Sequence, residues 1–320
     1  MSRREARLHL HSFITQFWPS TVDGLTLGSI YALFALGYTL VYGVLKLINF
    51  AHSEVFMVGT MSAMWILHFV GISKEQAGLA LVGVLLMALV VAMAASGATA
   101  LVLELVAYRP LRRRGSSRLA ALISAIGASF VLQQIFAIGY SKQYSQAPRV
   151  FHHSVLFHIG SATVTSDRAL VIVAALVLMV ALERTVATTK LGRGIRAVAQ
   201  DPETATLMGV NIDRTITYTF LLGGLMAGVA AMLWSVRFEQ TRFDIGFLPG
   251  VKAFTAAVLG GIGNIRGALV GGLVIGLLEL YGASIFGSQW RDPVVFVVLV
   301  LVLIFRPTGL LGESLSRARA

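Results

Sequence analysis

The chain has 320 residues, of which 56% are apolar and only 13% charged, with a formal net charge of +11. A soluble globular protein is about 25% charged, so too little polar surface remains to clothe a soluble fold, and the mean hydropathy of +0.79 points the same way. The absence of cysteine excludes disulfides, thiolate nucleophiles and cysteine metal sites. The basic excess is read as topogenic, because Lys and Arg gather in the cytoplasmic loops of membrane proteins. Membrane lipid is therefore the expected surroundings, and no nucleic acid is expected as a partner.

The first 20 residues are basic, but His9, His11, Gln16 and Pro19 interrupt their apolar content, so they do not read as a signal peptide. Apolar runs of roughly 20 residues, at about 1.5 Å each, cross a hydrocarbon core. They place segments near 22–45, 54–70, 79–107, 119–139, 169–186, 215–236, 247–262, 267–287 and 293–306. The expected fold is an all-α polytopic integral membrane protein. It is a single transmembrane domain over 1–320, a helical bundle of about eight or nine segments with two interrupted helices.

Basic segments set the orientation. Residues 109–118 hold Arg109, Arg112, Arg113, Arg114 and Arg118 with no acid, and 183–214 hold Arg184, Lys190, Arg193, Arg196 and Arg214. These, with the tail 316–320, are expected in the cytoplasm. Segments 140–168 (with His152, His153 and His158) and 237–246 should then face outward. Nine crossings put the N-terminus outside, against Arg3, Arg4 and Arg7. The short segments 54–70 and 247–262 are the two whose crossing the sequence leaves open.

Two breaks interrupt the apolar pattern. The first sets Asn49, His52, Ser53 and Glu54 between hydrophobic runs. The second, at 259–268, holds Gly260, Gly261, Gly263 and Asn264, with Arg266. Polar groups at membrane depth persist only when buried in protein or lining an aqueous cavity. Interrupted helices in both halves of a transporter point to its solute pathway. Freed helix-end groups suit a zwitterionic or polar solute. Asn49, His52 and Ser53 would line the pathway, Glu54 would be tied to backbone amides or a cation, and the two breaks would lie side by side. The competing reading makes each break a short cytoplasmic turn. No second His or Cys stands at ligand spacing from His52, so no metal is expected. The Gly224/Gly228, Gly267/Gly271 and Gly272/Gly276 pairs allow close helix approach, within this chain or against a second membrane subunit.

The stretch 191–211 reads as a docking element. Asp201 suits an N-cap, Pro202 the first helical position, Glu203 the positive end of the helix dipole and Gly209 the stop. A helix of about two turns does not hold alone in water, so Ala205, Leu207, Met208 and Gly209 are expected to rest on a partner. Glu203-Thr-Ala205 followed by Gly209 resembles the EAA loop of ABC-transporter permeases, with Thr204 for the usual Ala and no Leu-Pro downstream.

The wider resemblance covers nearly the whole chain. TLGSIYAL at 26–33, INFAHSE at 48–54, YRPLR at 108–112, ALISAIG at 121–127, LPGVKAFTAAVLGGIG at 248–263 and RPTG at 306–309 resemble, in order, segments of LivH-type branched-chain amino acid permeases. Ser53 stands where that family commonly has Gly. The resemblance implies a permease of the bacterial inner membrane that translocates Leu, Ile or Val by ATP-driven alternating access. It implies a LivM-type permease partner, two cytoplasmic ATPase subunits of the LivG/LivF type and a periplasmic amino-acid-binding protein. The resemblance gives Asp201, Glu203, Ala205, Leu207, Met208 and Gly209 the role of coupling to the ATPase. No G-x-x-x-x-G-K-[ST] occurs, so ATP would be bound by partner subunits and this chain would carry no cofactor. No catalytic motif is recognised, so an enzyme is not expected. Alternatives are a permease of the same family for urea, short amides or other amino acids, and a secondary transporter with Glu54 and His52 as a proton relay.

Overall fold

The structure, a computed structural model, describes residues 3–72, 75–76, 78–139, 145–146, 148, 150 and 153–312, with side chains from residue 15 onward. His152, the tail 316–320 and the side chains of Arg3, Arg4, Arg7, His9 and His11 lie outside what it describes. The chain is helical nearly throughout. The helices are α1 (Arg3–Leu45), α2 (His52–Phe69), α3 (Gly78–Leu103), α4 (Arg109–Arg113), α5 (Arg118–Gly139), α6 (Ser166–Thr188), α7 (Lys190–Gln200), α8 (Pro202–Leu207), α9 (Ile212–Phe238), α10 (Phe247–Gly260), α11 (Ile265–Phe286) and α12 (Arg291–Phe305). A π-helical turn, Glu104–Tyr108, joins α3 to α4. Two small antiparallel pairings complete the chain: β1 (Ser145–Gln146) with β4 (Gln240–Thr241), and the hairpin β2 (Val155–Ile159) with β3 (Ala162–Thr165).

Seven helices among the described residues are long and apolar enough to cross a membrane, α10 is shorter, and α2 falls outside those seven. Together they account for the nine expected segments, and the two odd ones are the two short candidates. The ends sort by charge. Arg109, Arg112 and Arg113 converge with α9's Asp213 and with Glu104 at one end of the bundle, the cytoplasmic one. At the other end Asp23 of α1 pairs with Arg168 and Arg237, and Trp18 packs over Gly160 of the hairpin turn. The N-terminal part of α1 therefore stands with the outward hairpin. That is the side given by nine crossings.

Small residues decide which helices form the centre. Gly24 and Gly28 of α1 meet Gly276 of α11, and Gly272 meets Ala32. Gly224 of α9 packs on Gly97 and Ala100 of α3, and Gly228 on Ala92 and Met93. With no Cβ in the way, backbones approach closely and dispersion contacts accumulate, which is the main packing force where lipid is as apolar as leucine. The small-residue pairs thus pack this chain's own helices, Gly267 and Gly271 included, which meet Gly260 and Ala256 of α10. α1 and the middle of α9 are buried, while α3, α5, α6 and α12 keep broad exposed apolar faces for lipid or a partner.

Candidate functional site

α1 ends at the cytoplasmic side, where Lys46 takes a left-handed φ of 53°, uncommon for a residue with a Cβ. Residues 46–51 then leave the helical path and turn back into the bundle. Asn49 is buried and accepts a hydrogen bond from the Tyr108 hydroxyl at 2.8 Å. The α2 helix starts at His52, whose ring lies against Phe34 and Tyr38 and fills the space left by Gly37. Gly37, eight residues before the cytoplasmic end of α1, faces Gly223, near the middle of α9. The start of α2 therefore sits at mid-depth, and α2 runs from there outward to Phe69.

A second helix starts at the same point. After Thr241, which bonds Thr60 of α2 at 2.7 Å, the chain turns inward and α10 begins at Phe247. A Cβ on Gly246 would lie 2.1 Å from the Ser53 carbonyl oxygen, and one on Gly250 2.6 Å from the Ser53 Cβ. α10 then runs from mid-depth to the cytoplasmic end. Two half-helices, one from each half of the chain, thus start together and diverge in opposite directions, each aiming the positive end of its dipole at the junction.

Glu54, fully buried in the first turn of α2, holds α5 to this junction. Its Oε1 accepts from Ser53 Oγ (3.1 Å), Ser129 Oγ (3.0 Å) and Gln133 Nε2 (2.8 Å). The sequence expectation of backbone amides or a cation is corrected: neutral side chains of α5 and Ser53 supply the donors. His52 and Glu54 face different neighbours, so no direct relay joins them.

A cavity of about 230 Å³ lies beside the junction, lined by Tyr38, Phe50, Ser53, Ser129, Phe130, Gln133, Phe247 and Phe254 among others. Above it an outer vestibule of about 780 Å³ shares Phe130, Gln133 and Phe247 with the inner cavity. These three side chains form the boundary between the two. Ser53 faces the inner cavity, whereas Asn49, His52 and Glu54 stand behind its wall. Ser129, Gln133, Lys252 and Glu279 were missed from sequence. Their signal was present, since each is a polar or ionised residue inside an otherwise apolar span.

The second break does not meet the first. Gly260, Gly261, Gly263 and Asn264 form the tight turn from α10 to α11 at the cytoplasmic end, and none lines either cavity. Gly261 and Gly263 have φ of 106° and 97°, which only glycine adopts readily. Asn264 caps α11 through the amides of Arg266 and Gly267 and donates to the Leu311 carbonyl at 2.8 Å. The second interruption lies before α10, at 239–246, not after it. Its polar residues Glu239, Gln240, Thr241, Arg242 and Asp244 read as an outward loop, and a lone Gly246 did not mark a break as four glycines do.

On the cytoplasmic side α8 forms as expected. Asp201 accepts from the amides of Glu203 and Thr204, and Gly209 ends the helix with φ of 82°. Ala205 is corrected: it is 3% exposed and packs inward in a cluster with Val198, Ile216 and Phe220. Leu207 and Met208 are instead 86% and 81% exposed.

Seven helices of membrane-spanning length among the described residues, two half-helices sharing a mid-depth start, stacked cavities and a capped cytoplasmic helix with bare apolar residues define a multi-pass transport permease. The family follows from comparison. The chain belongs to the branched-chain amino acid transport system permease component family, whose model matches residues 20–303. It is 41% identical over 305 residues to the high-affinity branched-chain amino acid transport system permease protein BraD of Pseudomonas aeruginosa, covering 94% of this chain and 97% of that protein. It is 40% identical over 303 residues to the corresponding permease protein LivH of Escherichia coli, covering 93% and 96%. A more distant likeness, 30% over 155 residues, is to the fructose import permease protein FrcC of Rhizobium meliloti, covering 46% and 42%. No solved structure matches the chain. The protein is a multi-pass permease of the inner membrane.

Proposed function

We propose that this chain is the solute-conducting subunit of an ABC importer for branched-chain amino acids. The observation that carries the mechanism is the shared start of α2 and α10 beside a cavity. The two half-helices meet at Ser53, Gly246 and Gly250, with Met57 beside Gly246, and interrupted helices of this kind lie at solute sites in transporters. The inner cavity offers aromatic walls for an aliphatic side chain and the polar Ser53, Ser129 and Gln133. The full-length likeness to BraD and LivH supports the solute class.

Energy reaches the pathway from partners. Leu207 and Met208 offer an apolar contact to a cytoplasmic ATPase subunit of the LivG/LivF type, while Ala205 seats α8 on α9 and α7. A LivM-type permease completes the membrane unit, and a periplasmic binding protein delivers the solute. The test is reconstitution of the assembly in proteoliposomes with candidate binding proteins. Leucine-stimulated ATP hydrolysis and leucine uptake are expected. Stimulation by urea or another non-amino-acid solute alone would overturn the solute class.

A further inference from the structure

The outer vestibule holds a feature that the mechanism above does not use. Its wall carries Arg242, Lys252 and Arg291 together with Asp244, Glu279 and Asp292. Three cations thus face three anions, inside a membrane protein. Ionised groups at such depth are expensive, and replacing a buried pair by apolar residues is often neutral or stabilising. Their retention beside a cavity calls for a use.

Arg242 and Asp244 pair with each other, and the other four divide into support and surface. Glu279 is 1% exposed and is saturated by Lys252 Nζ (2.9 Å), Arg291 Nε and the Tyr31 hydroxyl (2.9 Å). Lys252, 5% exposed, also pairs with Asp292 at 2.5 Å. Glu279 and Lys252 are therefore fixed, and each holds one partner whose side chain opens to the vestibule: Arg291 is 39% and Asp292 43% exposed. The two opened groups are neighbours in sequence at the start of α12 and opposite in sign. Across the space stand Phe130, Trp234, Phe238 and Phe247, an apolar wall facing a charged pair, as binding clefts have.

We propose that Arg291 and Asp292 form an outer receiving subsite for zwitterionic α-amino acids, with Arg291 taking the α-carboxylate and Asp292 the α-ammonium. Lys252 and Glu279 position them, and the aromatic wall takes the side chain. A guanidinium matches a carboxylate in fork geometry. The balance of charge favours a solute that carries both signs over one that carries either alone. The subsite rests on the amino-acid reading above and narrows it: recognition depends on the zwitterion as well as on the side chain.

The test uses the full chain purified with its partner subunits, without binding protein. Trp18, Trp65 and Trp290 are replaced by Phe, so that Trp234, on the vestibule wall, is this chain's remaining tryptophan, and the same assembly with Trp234→Phe gives the partner subunits' signal to subtract. Fluorescence is titrated with leucine, with leucinamide (ammonium only) and with 4-methylpentanoate (carboxylate only). Leucine should bind at least tenfold more tightly than either. Asp292→Asn should weaken leucine and leucinamide tenfold or more and leave 4-methylpentanoate unchanged. Arg291→Gln should do the reverse for the two half-charged probes. Equal binding of all three probes, a uniform shift of all three in either variant, or no leucine response overturns the subsite. Leucine uptake by the same assembly in proteoliposomes, now with its binding protein added, separates the two readings: uptake without the charge rule defeats the subsite alone, whereas uptake of urea or fructose and not leucine defeats the solute class.

Discussion

Ser53 and Gly250 touch where two half-helices begin, and a Cβ on Gly250 would stand only 2.6 Å from that of Ser53. The contact joins the first turn of α2 to the first turn of α10, elements almost 200 positions apart in the chain. Gly250→Val should therefore push the half-helices apart, at an overpacking cost of about 1–3 kcal/mol. A lowered melting temperature of the purified assembly and a loss of solute uptake are expected. An unchanged melting curve with full uptake would show that the junction tolerates bulk.

Glu54 tests whether charge or hydrogen bonding holds α5 to the junction. Glu54→Gln keeps a carbonyl oxygen for Ser129 and Gln133 and should stay close to the parent in stability. Glu54→Leu strands both donors, and an unsatisfied buried donor costs about 1–3 kcal/mol. Thermal unfolding should rank the parent and Glu54→Gln above Glu54→Leu. If Glu54→Gln is as damaging as Glu54→Leu, the negative charge itself is required.

The coupling helix separates docking from folding. Leu207→Glu and Met208→Glu place charge on residues that the permease leaves bare, so the membrane unit should purify normally while co-purification of the ATPase falls severalfold. Ala205→Glu should act differently, reducing recovery of the permease itself, because the new carboxylate enters the cluster of Val198, Ile216 and Phe220. Asp201→Ala removes the cap and should reduce solute-stimulated ATP hydrolysis with the assembly still intact.

The outer surface carries a pH response. Burial by itself would lower the His153 pKa, but hydrogen bonds and charge from Asp167 and Glu239, at 3.1 and 3.2 Å, outweigh it and hold the ring above the ordinary histidine value. A raised folded-state pKa contributes stability that is complete below the unfolded value of about 6.5 and is lost as pH rises through the folded value. Hydrogen exchange across the β2–β3 hairpin, corrected for its intrinsic pH dependence, should therefore lose protection as pH rises above about 6.5. His153→Gln should flatten that dependence. An unchanged profile in the variant would assign the response to another group.

Much of this protein follows from local chemistry that needs no tertiary context. Apolar runs must become helices in a bilayer because every backbone amide has to be satisfied within its own segment, so the segments were legible one by one. The arginines of 109–118 oriented them for the same local reason, and Asp201, Pro202 and Gly209 set the ends of α8 through caps that involve only near neighbours. Tertiary structure decided the rest. Four glycines at 260–267 and a single Gly246 look unequal in sequence, yet the first set closes a cytoplasmic turn and the second marks the mid-depth junction. The difference lies in what each backbone meets: Gly267 and the 308–312 segment in one case, Ser53 in the other. Ala205 turned inward and Leu207 outward because α8 has a rotation about its axis that only its seat on α9 sets. Likewise Lys252, Glu279, Arg291 and Asp292 sit on three helices, and nothing in the separate spans announced that they share one vestibule wall.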